Sequence, residues 1–509
     1  MSMFGFHNYA SPVGSGGGVE FVRAELMNRL DQYELISDCL AGSIRVKGRG
    51  SVYLPMPNSY DLGAENRARY DAYVKRAVFY NVAKRTLDGL VGQAFMVDPV
   101  IEVPDLLDIT VRDADGEGIP LVQMAQKSHE HVTAFGRAGL LTDFPRTDRA
   151  ISLAEIRSGR VRPKIIHYDS WRIVNWRTQV INNVRTLTLV VLQEDYERAV
   201  DEFSTEVRKQ YRVLRLNNAG EYTQALYTDE GGTFSPKEQE IVIRGSNGKP
   251  LTFIPFRFIG SKTNTPDIDE PPMFSLCDLN IAHYRNSADY EEMLFMVGQA
   301  TPVLTGLTEN WVKTVLKDRV ELGSRAAIAL PTGGDAKLLQ MSSDSIGFEG
   351  MQHKERQMVA LGAKLVEQQS VQRTAKEATM ENTSENSTLT VITDNVSSAY
   401  KFALECCDIF VGGRTLAGDA SNDDIQYQLN TDFEIAHLGA EELRFTIEAW
   451  QKGAITFDEM RNDLRRAGKA TEDNIKAKNS IRQDALDDMG TNGDDDEDET
   501  DNDNNNDDN

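Results

Sequence analysis

Apolar positions recur with two different periods along this chain, and the change of period divides it. Between Asn66 and Phe95, Tyr70, Tyr73, Ala77, Tyr80, Val82, Leu87, Leu90 and Val91 stand three or four apart, which predicts one helix. Gly89 and Gly92 near its end suit close packing or an early stop. Residues 119–142 predict a second helix, with Leu121, Met124, Ala125, Val132, Phe135 and Leu140 inward. An earlier, looser helix over 19–40 carries Phe21, Leu26, Leu30 and Leu35, and 41–63 reads as a Gly- and Pro-rich connection. From Lys164 to Ile259 the period falls to two. KIIHYDSWRIVNWRT, TLTLVVLQEDY, KQYRVLRLNN, GEYTQALYTD, EIVIRG and LTFIPFRFIG are rich in β-branched and aromatic residues. Turn dipeptides such as Asn182–Asn183, Ala219–Gly220 and Asn247–Gly248 separate them, so they predict an antiparallel sheet packed on the preceding helices. The fold class is therefore α+β.

Beyond PDIDEPP the pattern becomes helical again. A helix from Pro271 to Gly306 places Leu276, Leu279, His283, Asn286, Tyr290, Met293 and Val297 along one line. That line is polar in its middle, so it suits contact with another chain or water better than a dry core. A compact insert follows over 305–346, with a short helix ENWVKTVLKD, a strand RAAIALP, a Gly333–Gly334 turn and a strand AKLLQMS. Trp311 and Leu316 are expected to pack this helix on the strand around Ile328. So small an insert holds little core of its own and is expected to lean on neighbouring copies. EGMQHKERQMVALGAKLV returns as a second helix. Thr374 and Glu377 then fit a capping box, and a kink is expected at NTSENST, 382–388. Leu389, Ile392, Val396, Ala399, Ala403, Cys406 and Phe410 form the cleanest helical stripe in the chain. Two further helices, AEELRFTIEAWQKG and ITFDEMRNDLRRAG, each end at glycine.

Composition adds limits. A length of 509 residues allows roughly two to four domains. The net charge is −24, and about half of it lies after Arg482, where no Lys or Arg remains and the chain ends DDDEDETDNDNNNDDN. That tail has too little apolar surface to fold and is expected to be disordered, as a solubilising segment or a docking segment for a basic partner. An acidic body argues against tight DNA binding, which needs Lys and Arg to displace counterions, but suits a surface that DNA slides past. Cys39, Cys277, Cys406 and Cys407 lack metal-ligand spacing and are expected to be free thiols. The N-terminus lacks a signal-peptide pattern and no apolar run approaches the roughly 20 residues of a membrane span, so an intracellular, soluble protein is expected.

The chemistry-bearing motifs fail in turn. GSKT at 260–263 lacks the upstream glycine of a phosphate loop. GxSxG and HExxH are absent, and no D-x-D or E-x-K pair flanks a predicted strand as a two-metal nuclease requires. His129 and His131 lie two apart and face different ways on a helix, whereas a zinc pair needs i, i+4 spacing; surface or half-buried histidines are expected. No catalytic residue, cofactor site or metal site is therefore expected, and the chain reads as an assembly part, not an enzyme.

One resemblance is present. The order of elements resembles the portal proteins of tailed bacteriophages, carried most specifically by Asp278–Gly306 (Tyr284, Ser287, Asp289, Pro302 and Gly306) and by Thr374–Leu389. It spans about residues 60–470. The resemblance implies an arm and first helix over 1–59, a wing over 60–271, a first stem helix over 272–303 and a clip over 304–349. It further implies a second stem helix over 350–368, a tunnel loop over 369–374, a channel helix and following segment over 375–429, and crown-like helices over 430–485, ahead of the acidic tail, 486–509. It implies a ring, usually of about twelve subunits, at one capsid vertex. The major capsid protein, the terminase and a tail adaptor would be its partners, and double-stranded DNA would pass through without sequence readout or any membrane. Location would be the virion, with host cytoplasm during assembly. A stem helix of about 20 residues would be about 30 Å long. On this reading Arg373 and Lys376 are candidates for the constriction, and Trp311, Lys313, Lys317, Arg319 and Arg325 for clip contacts; ordinary solvated charges are the alternative for the cations. Rival readings are another structural virion protein or a metal-dependent packaging nuclease.

Overall fold

The structure is a computed structural model that describes residues 18–61, 63–145, 151–159, 161–229, 233–298, 301–316, 330–339, 346–365, 387–411, 425–431, 433 and 440–466, with single positions up to 480. The chain divides into two units at Thr431/Asp432. Unit 1 is α+β.

Three short helices open it: α1 (Ala24–Met27), α2 (Leu30–Ala41) and α3 (Ser43–Gly48). The buried face of α2 runs through Tyr33, Ile36 and Cys39, while Leu35 is only half-buried and Phe21 is exposed. The predicted helix over 66–95 is two helices, α4 (Ala64–Arg76) and α5 (Val82–Ala94). Ala77 turns the chain extended, and Asn81 restarts the helix by accepting the Lys84 N–H at 3.0 Å. Past β1 (Val100–Glu102) and α6 (Asp108–Arg112), α7 (Leu121–Phe135) ends at Gly136, whose φ of 78° is left-handed. A Cβ there would lie 3.0 Å from the Glu270 carbonyl, so glycine is required twice over. The chain leaves as β2 (Arg137–Asp143), and the last part of the helix predicted over 119–142 is thus a strand.

After α8 (Leu153–Arg157), the strands β3 (Lys164–Asp169), β4 (Ile173–Ile181), β5 (Val184–Ala199), β6 (Thr205–Leu216) and β7 (Tyr222–Asp229) fall where the alternation predicts them. Strands β4 to β7 form an antiparallel meander, with β8 (Phe234–Pro236) and β9 (Ile241–Val242) both paired to β7. Strand β10 (Phe256–Gly260) returns to pair with β2, giving a second sheet in the order β10-β2-β3. The chain continues through α9 (Phe274–Gly298), β11 (Thr301–Thr305), α10 (Glu309–Trp311), β12 (Asp335–Leu339), α11 (Ile346–Lys364), α12 (Thr388–Phe410) and β13 (Gln426–Gln428), which pairs with β1.

Helix α12 is the axis of unit 1. All seven residues of its predicted stripe are buried, and Tyr400, Leu404 and Cys407 bury the other flank. It packs on α7, β2, β10 and β13. Burying a side chain such as Leu389 or Ile392 contributes about 1.5–3 kcal/mol. At its end Phe410 stacks on Phe144 with ring centroids 4.8 Å apart and planes 9° off parallel. That contact joins the helix core to the inner face of the meander, where Trp176, Val190, Leu192 and Phe256 pack. The start of α12 is capped by Ser387, which accepts the Thr390 N–H at 3.2 Å. The predicted capping box at Thr374 and Glu377, the tunnel loop and the strand around Ile328 lie outside the described residues.

Unit 2 contains α13 (Ala440–Gln451) and α14 (Phe457–Arg466), with Trp450 against Phe457 at 5.9 Å. Between them Gly453 takes φ 75° and Thr456 exchanges hydrogen bonds with Glu459 in a capping box. The acidic tail lies outside the described residues.

Gly89 and Gly92 sit exposed on α5, and a Cβ at either meets nothing within 4 Å. The close packing predicted for them is not made among the described residues. Gly89→Ala should therefore raise stability by about 0.5–1 kcal/mol in urea unfolding of the unassembled chain. A loss of stability instead would mean that something packs against this face.

Candidate functional site: a helical hairpin and its tip

Helix α9 has two halves with different surroundings. In the first, Leu276, Cys277, Asn280, Ile281, His283, Tyr284, Ser287 and Ala288 are buried. Beyond Ala288 no described residue of α9 is buried, and Leu294, Phe295 and Met296 are exposed. The ten residues 289–298 span about 15 Å and meet the rest of the body along one side, that of α4.

The buried half is fixed by polar side chains. Asn280 accepts the Ala83 N–H through Oδ1 at 3.2 Å and donates from Nδ2 to the Tyr80 carbonyl at 2.8 Å. Ser287 Oγ donates to the Val78 carbonyl at 2.6 Å and accepts the Val78 N–H at 3.1 Å. These bonds from α9 satisfy backbone groups freed where α4 breaks from α5. Higher up, Tyr73 bonds Asp289 and Arg76 pairs with Glu292. The Arg76 guanidinium also lies 4.2 Å from the Phe295 ring centroid.

The polar line predicted to face another chain faces α11. His283 meets Glu355 at 3.3 Å, Gly350 lies beside Asn286, and Tyr290 packs on Phe348 at 6.0 Å. Rising numbers on one helix meet falling numbers on the other, so the two are an antiparallel hairpin. Its tip is a two-stranded sheet, β11 with β12, from Thr301↔Leu339 to Thr305↔Asp335. TPVLT is thus a strand and not the end of the stem helix, in keeping with its β-branched residues. Gly306 closes the strand at φ 75°, and a Cβ there would lie 2.9 Å from the Gly333 carbonyl.

Of the candidate contact residues, Trp311 is half-buried at the tip and Lys313 pairs with Glu309 one turn away at 2.7 Å. Lys317, Arg319, Arg325, Arg373 and Lys376 lie outside the described residues.

Sequence reasoning missed one polar cluster. His129 and His131 are both buried, contrary to expectation. His131 Nε2 accepts the Ser170 N–H at 3.0 Å, which puts its proton on Nδ1, 3.5 Å from Asp169 Oδ1. His167 Nε2 lies 3.3 Å from the same oxygen, and its Nδ1 is 2.8 Å from Ser128 Oγ, itself 2.8 Å from the Tyr400 hydroxyl. His131, His167 and Asp169 bring their ligand atoms within 4.8 Å of one another. A metal on His131 Nδ1 would nevertheless require an imidazolate, because Nε2 is already an acceptor. The Ser128–His167–Asp169 order resembles a hydrolytic triad, yet Ser128 is fully buried. Two cavities of unit 1, of about 640 and 850 Å³, are both lined by other residues. The cluster is a core network. Burial pushes His129 down to about 4 and His131 to about 3. Burial pushes Asp169 up, but His131 and His167 outweigh it and hold the carboxyl below its usual range. At the GSKT segment, Asp269 accepts the Lys262 N–H at 2.8 Å, so a carboxylate occupies the place a phosphate would need.

Residues 272–410, from the start of the hairpin to the end of α12, match a family described as a domain of unknown function, DUF4055. No curated protein matches the chain. Among solved structures, it is similar to a chain of the neck of an empty GTA particle computed with C6 symmetry, at 14% identity and TM-score 0.40, covering 79% of this chain and 93% of that one. A chain of the virion of a native gene transfer agent (GTA) particle is similar at 14% identity and TM-score 0.40, covering 84% and 98%. No helix among the described residues is long and apolar enough to cross a membrane.

Asn280→Ala leaves the buried Ala83 N–H without its partner and the Tyr80 carbonyl with the Val82 N–H alone. It should lower unfolding stability by roughly 2–4 kcal/mol, measured in urea. The histidines give a pH dependence. The unfolded chain binds a proton on each below about pH 6.5, while the folded chain does so only near 4 and 3. Their contribution is complete above about pH 6.5 and is lost as pH falls toward 4, at about 1.4 kcal/mol per pH unit for each. His129→Gln should flatten the fall between pH 6 and 5; an unchanged slope would show that His129 is not buried neutral.

Proposed function

We propose that this chain is a portal-type subunit. It forms a ring at one vertex of a phage-like particle, conducts double-stranded DNA during packaging and ejection, and presents its tip to the packaging terminase and later to a tail adaptor. It performs no chemistry of its own. The observation that carries the reading is the hairpin: α9 and α11 leave the body as an antiparallel pair, with a separate two-stranded sheet at the end. The emerging part exposes Leu294, Phe295, Met296 and Phe348, apolar groups that side-by-side copies would cover. The net charge of −24 suits a conduit, since repulsion leaves no deep well in which a moving duplex would stall.

Negative-stain imaging and the native mass test this reading. A ring with a central hole is expected. A solid particle or lattice would favour another structural virion role, and metal-dependent cleavage of DNA would favour a nuclease. Replacing Leu294 and Met296 together by Lys should abolish the ring while changing unfolding stability by no more than about 0.5 kcal/mol, because neither side chain is buried in the single chain. Rings of normal size from that variant would remove the hairpin from the interface.

A further inference from the structure

Unit 1 holds a concave pocket of about 640 Å³ whose charge is opposite to that of the chain. Its wall is built by the segment around α1, by β4 and β5, and by the loop before α9. Arg23, Arg29, Arg177 and Arg185 line it, against Glu25 and Asp267. Arg23 already holds Glu25 in a two-pronged pair, at 2.7 and 3.0 Å, and anchors to the Trp176 carbonyl at 2.7 Å. That pair is neutral. Three arginines then face one carboxylate.

A fifth arginine adds to this excess. Arg137, on β2, is fully buried, and none of its three guanidinium nitrogens makes a hydrogen bond. It is held by rings: its guanidinium lies 4.0 Å from the Trp176 centroid and 4.6 Å from that of Phe258. Arg23 lies 4.6 Å from the same Trp176, which is part of the pocket wall. Ring contacts of this kind contribute about 2 kcal/mol when desolvated, less than the several kcal/mol that burying an unpaired ion costs. The carboxylates that act on Arg137 include Glu25 and Asp267, both on the pocket wall. Trp176, whose ring both Arg137 and Arg23 meet, sets the buried cation directly behind the pocket wall, and the pocket lacks enough negative charge of its own.

We propose that this pocket binds a phosphate-bearing anion. Guanidinium forks match phosphate oxygens two at a time. A further single carboxylate would leave the excess uncompensated, whereas a diphosphate carries enough charge. The volume lies in the range of about 300–1,000 Å³ usual for small-ligand sites. Phosphate oxygens come from two sources, a free diphosphate or a nucleic-acid backbone, and the same arginines would meet either.

The test is calorimetric titration of the full chain with inorganic pyrophosphate and, separately, with a short DNA duplex, at one fixed ionic strength so that screening is equal. Pyrophosphate binding is expected, weakened at least about tenfold, or 1.4 kcal/mol, in the double variant Arg177→Ala, Arg185→Ala. Both side chains are exposed, and unfolding curves will show whether the variant is intact. Asp267→Asn removes the opposing charge and should tighten binding, so it carries the test even where the arginine variant fails to fold. Duplex binding that disappears in the arginine variant, without pyrophosphate binding, assigns the phosphates to nucleic acid. Binding of neither probe, or binding that both variants leave unchanged, overturns the proposal.

Discussion

A helix buried on nearly every side constrains the whole of unit 1. Thirteen of the 23 residues of α12 are buried, and the polar ones among them are satisfied close by. Thr393 Oγ1 donates to the Leu389 carbonyl and Ser397 Oγ to the Thr393 carbonyl, both at 2.8 Å. Ser397 Oγ also accepts the Leu429 N–H at 3.0 Å, which docks the end of β13. Asn395 donates to the Gly260 carbonyl while its own carbonyl accepts from Asn264, both at 2.9 Å. The loop that leads from β10 to α9 is therefore tied to α12.

The hairpin is fixed at its base and free beyond it. Side chains of α9 supply partners for the backbone between α4 and α5, and α11 covers the polar line of α9. Beyond Ala288 no described residue of α9 is buried, α4 and α11 flank it, and the exposed Leu294, Phe295 and Met296 lie there. On the proposed function, the tip would gain from this division. A stiff base sets the direction, and a thin, uncovered end leaves surface for contact.

How much of this was legible depends on the range of the cause. The stripe of α12 was read residue by residue, because period alone reports burial on a helix. The strands of the meander were read as readily, since alternation and turn dipeptides are local signals. The break at 77–81 was not, because the side chains that satisfy its backbone, Asn280 and Ser287, stand far along the chain, and neither residue type announces such a role. The change from α7 to β2 had a local signal that was passed over: Gly136 stands directly after the last periodic residue, Phe135, as a helix-ending glycine does. The helix expected from Pro271 to Gly306 forms over Phe274–Gly298 and was overextended at its end, where TPVLT pairs as a strand. His129 and His131 were misjudged because their partners, Thr393, Ser170 and Asp169, are brought near only by the fold.

Two buried polar groups of unit 1 differ in one respect that separates structure from function. The cluster of Ser128, His131, His167, Asp169 and Tyr400 closes on itself through hydrogen bonds and charge contacts among its members and the Ser170 amide. Such a set has reason to specify one core arrangement and none to wait for a ligand, whatever catalytic order its members happen to show. Arg137 is the opposite case. Its charge is buried, its donors have no partner among the described residues, and the carboxylates Glu25 and Asp267 that act on it lie at a pocket with a surplus of its own sign. A closed network explains itself within the chain, whereas an open one points to something the chain meets. By that criterion the place to look for a ligand is the arginine pocket, and the histidines belong to the core.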